Sequence, residues 1–179
     1  MSTIQNGHMQ ITNPIQADEV KGCLLDYNSA TTIPPRCYND PVIFELEKER
    51  ILKPSWFQVG HISEVSKPGD YFTLDLCEEP ILIIRDRDNE LHALSNVCVH
   101  RNFPVAQERG NCKLLKCKYH GWMYNLDGSL RGAALMEQAQ DFSAKDWRLH
   151  EFHLEVWQGF LFVNMERGPV PPLAPQLEG

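Results

Sequence analysis

Hydrophobic and polar positions along this chain follow two patterns in turn. Residues 1–38, from MSTIQNGHMQ to the Ile33-Pro34-Pro35 stretch, are polar, aperiodic and rich in turn formers. They read as an extended arm without regular structure. Asn39-Asp40-Pro41 then offers an N-cap and a proline at the first helical position, where a missing N–H costs nothing. One short surface helix is predicted over 41–52, with Phe44, Leu46, Ile51 and Leu52 spread among charged neighbours and Pro54 stopping the run. From Ser55 onward the chain changes to short segments rich in aromatic and β-branched residues, separated by Gly, Pro, Asp and Asn. Such spacing suits antiparallel strands, predicted over 56–61, 70–75, 80–85, 91–95, 113–116, 122–125, 150–157 and 160–164. Asp127-Gly128 is a hairpin turn signal, and 136–147 reads as polar chain with room for one helical turn. The last stretch, 167–179, holds four prolines and two glycines and reads as a linker or tail. The expected class is therefore all-β: an arm and helix over 1–54, an antiparallel domain over 55–166, and a proline-rich tail.

Composition narrows the function classes. Of 179 residues 42% are hydrophobic, enough to build a core without disulfide staples. Seventeen Lys and Arg stand against 24 Asp and Glu, a net charge of −7, which argues against a nucleic-acid partner. No apolar run approaches the roughly 18 residues of a membrane span, and the first residues have neither a basic n-region nor a hydrophobic h-region. A reducing cytoplasm is the expected setting, where six cysteines at 23, 37, 77, 98, 112 and 117 are thiols or metal ligands rather than a disulfide framework.

One signal carries chemistry: Cys98-Val99-His100, sixteen residues, then Cys117-Lys118-Tyr119-His120. Two thiolates and two imidazoles arriving in matched pairs from two loops are the ligand set of a [2Fe-2S] centre in which two His replace two Cys on one iron. Neutral nitrogen in place of anionic sulfur raises the reduction potential, to roughly −150 to +300 mV against about −400 mV for all-cysteine plant-type ferredoxins. The same four donors also suit a tetrahedral structural zinc, although zinc motifs favour Cys pairs two to four residues apart. Cys23, Cys37, Cys77 and Cys112 read as free or buried small hydrophobes.

These residues resemble the Rieske iron–sulfur family, and their flanks resemble the large subunits of Rieske non-haem iron oxygenases. Arg101 follows His100, and the run Cys117-Lys118-Tyr119-His120-Gly121-Trp122-Met123-Tyr124 with Asp127-Gly128 is similar to the second cluster loop of that group. Pro35-Arg36-Cys37-Tyr38, Ser55-Trp56 with Gly60-His61, and the run from Gly159 to Asn164 extend the likeness over most of the chain. The resemblance implies Rieske-type antiparallel sheets with a cluster-binding part at about 96–125. It also implies that Arg101 and Trp122 flank the cluster, Arg101 orienting the first loop through hydrogen bonds. Two departures stand out: Asn102 where the group has Gly, a tolerable exchange because Asn accepts left-handed backbone, and Lys118 where it has Pro. Phe103, Tyr119 and Trp122 occupy positions where respiratory Rieske proteins carry clamp cysteines and a serine hydroxyl. Fewer hydrogen bonds to the sulfurs and a low potential within the Rieske range are the implied result.

Oxygenases of this group hold a mononuclear non-haem Fe(II) with two His and one carboxylate in a second domain. Here the nearest imitation is Asp146, His150 and His153, whose spacing does not match and whose histidines fall on opposite faces of a predicted strand. The resemblance therefore implies an electron-transfer domain. It would accept electrons from a reductase or ferredoxin and serve a catalytic iron in another domain or subunit, commonly in a trimeric or hetero-oligomeric assembly. The chain reads as a fragment or one half of a split oxygenase. A stand-alone Rieske ferredoxin acting as a carrier is the alternative, disfavoured by the arm, the Pro41 helix and the His-Arg step.

Overall fold

The computed structural model describes residues 4–5, 8–9, 14–136 and 139–178. Packing divides the chain into two units, Met1–Pro54 and Ser55–Gly179. The first contains a two-residue hairpin, β1 (Ile4–Gln5) with β2 (His8–Met9), then α1 (Ala17–Val20) and α2 (Pro41–Glu47). The expectation of an arm without regular structure over 1–38 is corrected here, since tight turns at Lys21–Leu24 and Pro35–Tyr38 add to β1, β2 and α1. Polar contacts make these pieces, which is why apolar periodicity misses them. The Gln16 amide donates to Glu19 Oε2 at 2.8 Å, and Arg36 Nη2 pairs with Glu19 and donates to the Pro14 carbonyl at 2.9 Å. Helix α2 starts as expected, with Asp40 accepting from the Val42 amide at 2.9 Å and Pro41 in the first turn. Its continuation over Lys48–Leu52 widens into a π turn, closed by Lys53 N–H to the Lys48 carbonyl at 2.8 Å.

The second unit is all-β. Its strands are β3 (Trp56–His61), β4 (Asp70–Leu76), β5 (Glu79–Arg85), β6 (Leu91–Ser95), β7 (Arg109–Asn111), β8 (Leu115–Lys116), β9 (Met123–Tyr124), β10 (Leu130–Gly132), β11 (Glu151–Trp157) and β12 (Phe160–Asn164), with a helical turn α3 (Ala174–Leu177) behind them. Seven strands form one antiparallel sheet in the order β3-β12-β11-β6-β5-β4-β7, and three form a small sheet in the order β10-β9-β8. Strands β7 and β10 lie outside the sequence expectation. All three residues of β7, Arg109-Gly110-Asn111, are exposed, so no alternation marks it. Asp127-Gly128 makes the predicted turn between β9 and β10, with Gly128 at φ +84°, a left-handed conformation glycine adopts freely.

Strand β5 explains the architecture. Ile81 and Ile83 face a core with Phe72, Ala93, Leu161 and Val163, whereas Leu82 and Ile84 face a second core with Leu94, Trp122, Tyr124 and Leu149. Successive side chains of a strand point to opposite faces, so a run with no polar position is what a wall shared by two cores requires. The second core lies beneath the small sheet and includes Cys98 and Cys117. The 167–179 segment does not hang free among the described residues. Leu173 is buried, its amide donates to Glu155 Oε2 at 3.1 Å, the Pro171 carbonyl accepts from Trp56 Nε1 at 3.0 Å, and the Gly168 carbonyl meets His153 Nε2 at 2.9 Å.

Candidate metal centre

Two loops carry the motif, and their backbones repeat one another. In the first, Cys98 N–H donates to the Phe103 carbonyl at 2.9 Å and the Cys98 carbonyl accepts from Asn102 N–H at 2.9 Å. In the second, Cys117 N–H donates to the Trp122 carbonyl at 2.9 Å and the Cys117 carbonyl accepts from Gly121 N–H at 3.0 Å. The residue four places after each cysteine is left-handed, Asn102 at φ +52° and Gly121 at φ +74°. The tolerance expected of Asn102 is thus used. The first loop rests on Asn96, a buried side chain whose Oδ1 accepts from Val105 and Ala106 N–H at 3.2 and 2.8 Å while its Nδ2 donates to the Ala106 carbonyl at 3.0 Å. The second springs from β8, where burial alternates: Leu115 and Cys117 inward, Lys116 and Lys118 outward.

The loops bring the four motif residues together. Cys98 and Cys117 are 1% and 2% exposed. The His100 and His120 rings lie edge to face at 4.7 Å between centroids, and the Trp122 indole stacks on His100 at 4.7 Å with planes 3° apart. Phe142 backs the indole at 5.7 Å. His120 Nδ1 and Trp122 Nε1 are buried atoms without a hydrogen-bond partner among the described residues. A buried imidazole nitrogen with no partner is costly, and a bound metal is one of the few groups that satisfies it, so the donor set fits the iron–sulfur cofactor. Desolvation, His120 and Arg101 all lower the His100 imidazole below its ordinary range, favouring the neutral form that ligates. Among the described residues no three His, Cys, Asp or Glu side chains are placed to hold a single metal ion. A pair of irons with two protein ligands each asks for no such trio.

Sequence reasoning missed Tyr124. Its hydroxyl lies 3.1 Å from Cys98 Sγ and accepts from Val99 N–H at 3.2 Å, with the ring fully buried. Burial, and then the contact with Cys98, push the phenol well above its usual range, so it keeps its proton. The expectation of fewer hydrogen bonds to the sulfurs is modified accordingly. The signal was available, since a buried tyrosine usually finds a partner for its hydroxyl. Arg101 is exposed, and its guanidinium has no hydrogen bond or ion pair among the described residues. The loop is held by backbone bonds and Asn96, and Arg101 acts on His100 through charge. Asp146, His150 and His153 do not converge: His150 packs edge-on against Phe152 at 4.8 Å, and His153 bonds to the Gly168 carbonyl. All six cysteines are free thiols.

A model of the Rieske [2Fe-2S] domain matches residues 55–147, more than half of the chain. The chain belongs to the Rieske [2Fe-2S] domain family. It is 39% identical over 138 residues to the carnitine monooxygenase oxygenase subunit of Escherichia coli (strain K12), covering 76% of this chain and 37% of that protein. With the benzene 1,2-dioxygenase alpha subunit of Pseudomonas putida it shares 33% over 145 residues, 79% of this chain and 32% of the relative. Among solved structures, the apo form of a quaternary ammonium Rieske monooxygenase superposes with a TM-score of 0.81 at 32% identity, covering 94% of this chain and 48% of the other. Naphthalene 1,2-dioxygenase from Rhodococcus sp. bound to indole gives 0.80 at 31%, covering 90% and 37%. This Rieske domain chain thus spans about a third of the length of the curated relatives it matches. No helix among its described residues is long and apolar enough to cross a membrane.

Proposed function

We propose that this chain is the electron-transfer part of a Rieske non-haem iron oxygenase, of the ring-hydroxylating or N-demethylating type. Cys98 and Cys117 hold one iron, and His100 and His120 hold the other. The observation that carries this reading is the buried, unpartnered His120 Nδ1, set beside His100 on two loops of matching backbone. A cluster bound there supplies one-electron storage at a potential raised by two neutral imidazoles.

The chain's own residues do the rest. Buried Cys98 and Cys117 keep water from the sulfur side, Trp122 fixes the plane of the His100 ring, and Tyr124 offers its hydroxyl proton to Cys98 Sγ. Electrons come from a reductase or ferredoxin and leave through the half-buried imidazoles of His100 or His120. Their destination is a mononuclear iron in a catalytic domain or partner subunit, within a trimeric or hetero-oligomeric assembly. Oxygenase relatives support this destination over a free-standing carrier. A reducing cytoplasm suits six cysteines that form no disulfide.

The test is anaerobic purification or reconstitution, followed by iron and acid-labile sulfide analysis and EPR of the reduced form. Equal iron and sulfide with a mixed-valence signal is the expected result. Zinc without sulfide overturns it.

A further inference from the structure

Charge is distributed unevenly along this chain. Residues 96–125 carry five cations (Arg101, Arg109, Lys113, Lys116 and Lys118) against one acid, Glu108, a net of +4. The other residues hold 12 cations and 23 acids, a net of −11, within the overall −7. Of the five cations, Arg109 pairs with Glu64 at 3.5 Å. Arg101, Lys113, Lys116 and Lys118 are exposed, and none has a carboxylate within ion-pair distance among the described residues. A cluster of unneutralised cations on an acidic molecule costs self-repulsion and creates a local field aimed at negative charge.

Of these, Lys116 and Lys118 stand beside apolar surface, with Glu108 in the same lining, whereas Lys113 lies with Asp86, Asp88 and Asp127. Phe103 and Tyr119 are 37% and 55% exposed with rings 5.4 Å apart, and Tyr119 lies against His120 at 3.8 Å between centroids. Beside them a cavity of about 440 Å³ opens between residues 103–108 and the β8 side, where Lys116 and Lys118 reach its lining. Lys118 Nζ donates to Gln107 Oε1 at 3.1 Å, which ties the second loop to the segment following the first. An aromatic centre with a charged rim is the anatomy of a protein interface.

We propose that this face, centred on Phe103, Tyr119, Lys116 and Lys118, is the docking seat for a redox protein with an acidic surface, which delivers one electron at a time. The proposal rests on the electron-transfer reading above and specifies its donor. The net charge of −7 repels any acidic partner at long range, so the local cations act at contact, where the exposed Phe103–Tyr119 pair beside them suits a protein surface. In the transfer the donor is oxidised by one electron and the centre between the two loops is reduced by one, with no bond made or broken. Lys116 and Lys118 flank Cys117 in sequence, so a partner seated on them stands next to the second loop.

The experiment uses the full chain reconstituted with iron and sulfide, and as probe an acidic plant-type [2Fe-2S] ferredoxin in its oxidised state, titrated calorimetrically at low and at high salt. Binding is expected at low salt and is lost at high salt. The double variant Lys116→Glu/Lys118→Glu is expected to raise Kd by about tenfold or more at low salt, with an unchanged visible spectrum. The variant Arg167→Glu, beyond β12, binds as the unmodified chain does. Equal affinity of the double variant, affinity independent of salt, or tighter binding of a single-stranded oligonucleotide than of the ferredoxin overturns the proposal. Iron and sulfide analysis is read separately, so a chain that fails to assemble the cluster counts against the electron-transfer reading and not against the docking face.

Discussion

The two loops share one backbone and differ in what surrounds their side chains. Both close by the same pair of hydrogen bonds and both turn through a left-handed residue four places after the cysteine. Around the first, a tyrosine hydroxyl meets Cys98 Sγ and an indole lies flat on His100. Around the second, Cys117 has no hydroxyl on its sulfur among the described contacts, His120 Nδ1 has no partner, and Tyr119 covers the ring. Repetition of the backbone brings one Cys–His pair from each loop to the same place. The unequal side chains are what can make one half of the site differ electronically from the other.

The largest break in this comparison comes from removing a donor. Cys117→Ala is expected to abolish the cluster, seen as loss of labile sulfide and of the EPR signal, whereas His120→Cys keeps it at a lower potential because an anionic sulfur replaces a neutral nitrogen. Unchanged spectra and potentials in both would defeat the ligand assignment. Next is Trp122→Ala, which opens a cavity under the His100 ring and is expected to cost about 3–5 kcal/mol in denaturant unfolding. Tyr124→Phe leaves Val99 N–H unpaired and is expected to cost about 1–2 kcal/mol. It also lowers the potential by tens of millivolts, on the order of 1 kcal/mol per 40 mV for one electron, as voltammetry would read. No change in potential would show that the hydroxyl does not act on the sulfur.

Smaller effects test the backbone and its support. Gly121→Ala is expected to cost about 1 kcal/mol from left-handed strain, since its surroundings are open, the nearest atom to an added Cβ being Lys116 Cε at 3.9 Å. Asn102→Gly should stay within about 0.5 kcal/mol of the original, and a larger loss in thermal melts would mean the Asn102 side chain holds the loop. At the turn between β9 and β10, Arg148 Nη2 donates to the Asp127 carbonyl and to Glu151, and Glu151 and Asp86 bracket His92 at 2.7 and 3.2 Å. Burial by itself would lower His92, but hydrogen bonds to Glu151 and Asp86 outweigh it and hold the imidazole above its ordinary value. The stabilisation is therefore complete below the unfolded pKa of about 6.5 and fades as pH rises through the higher folded value. His92→Gln should flatten that dependence in unfolding midpoints across pH.

The main strands were legible because each carries apolar residues at a spacing its burial demands, as Ile81 to Ile84 show between two cores. Strands β7 and β10 were not, since β7 holds no apolar residue and pairs with β4 through its backbone and the polar contact of Asn111 with Asp70. The short turns of residues 14–38 escaped for a related reason: Arg36 and Glu19 tie them by polar contacts that leave no periodic trace. In the site, the two Cys–His pairs that the loops bring together were readable from spacing, while Tyr124 and Asn96 were not assigned their parts because an isolated polar residue does not name its partner.

By itself the sequence determined the all-β class, the placement of two cysteine–histidine pairs on two loops, and the left-handed tolerance of Asn102. These follow from local chemistry: turn formers, alternation and donor type. Tertiary structure alone decided that Tyr124 meets Cys98, that Trp122 lies on His100, and that Lys118 reaches Gln107 beside an exposed aromatic pair. Each of these contacts joins residues brought near by the packing of separate loops and strands, and no local pattern specifies which side chains will face one another.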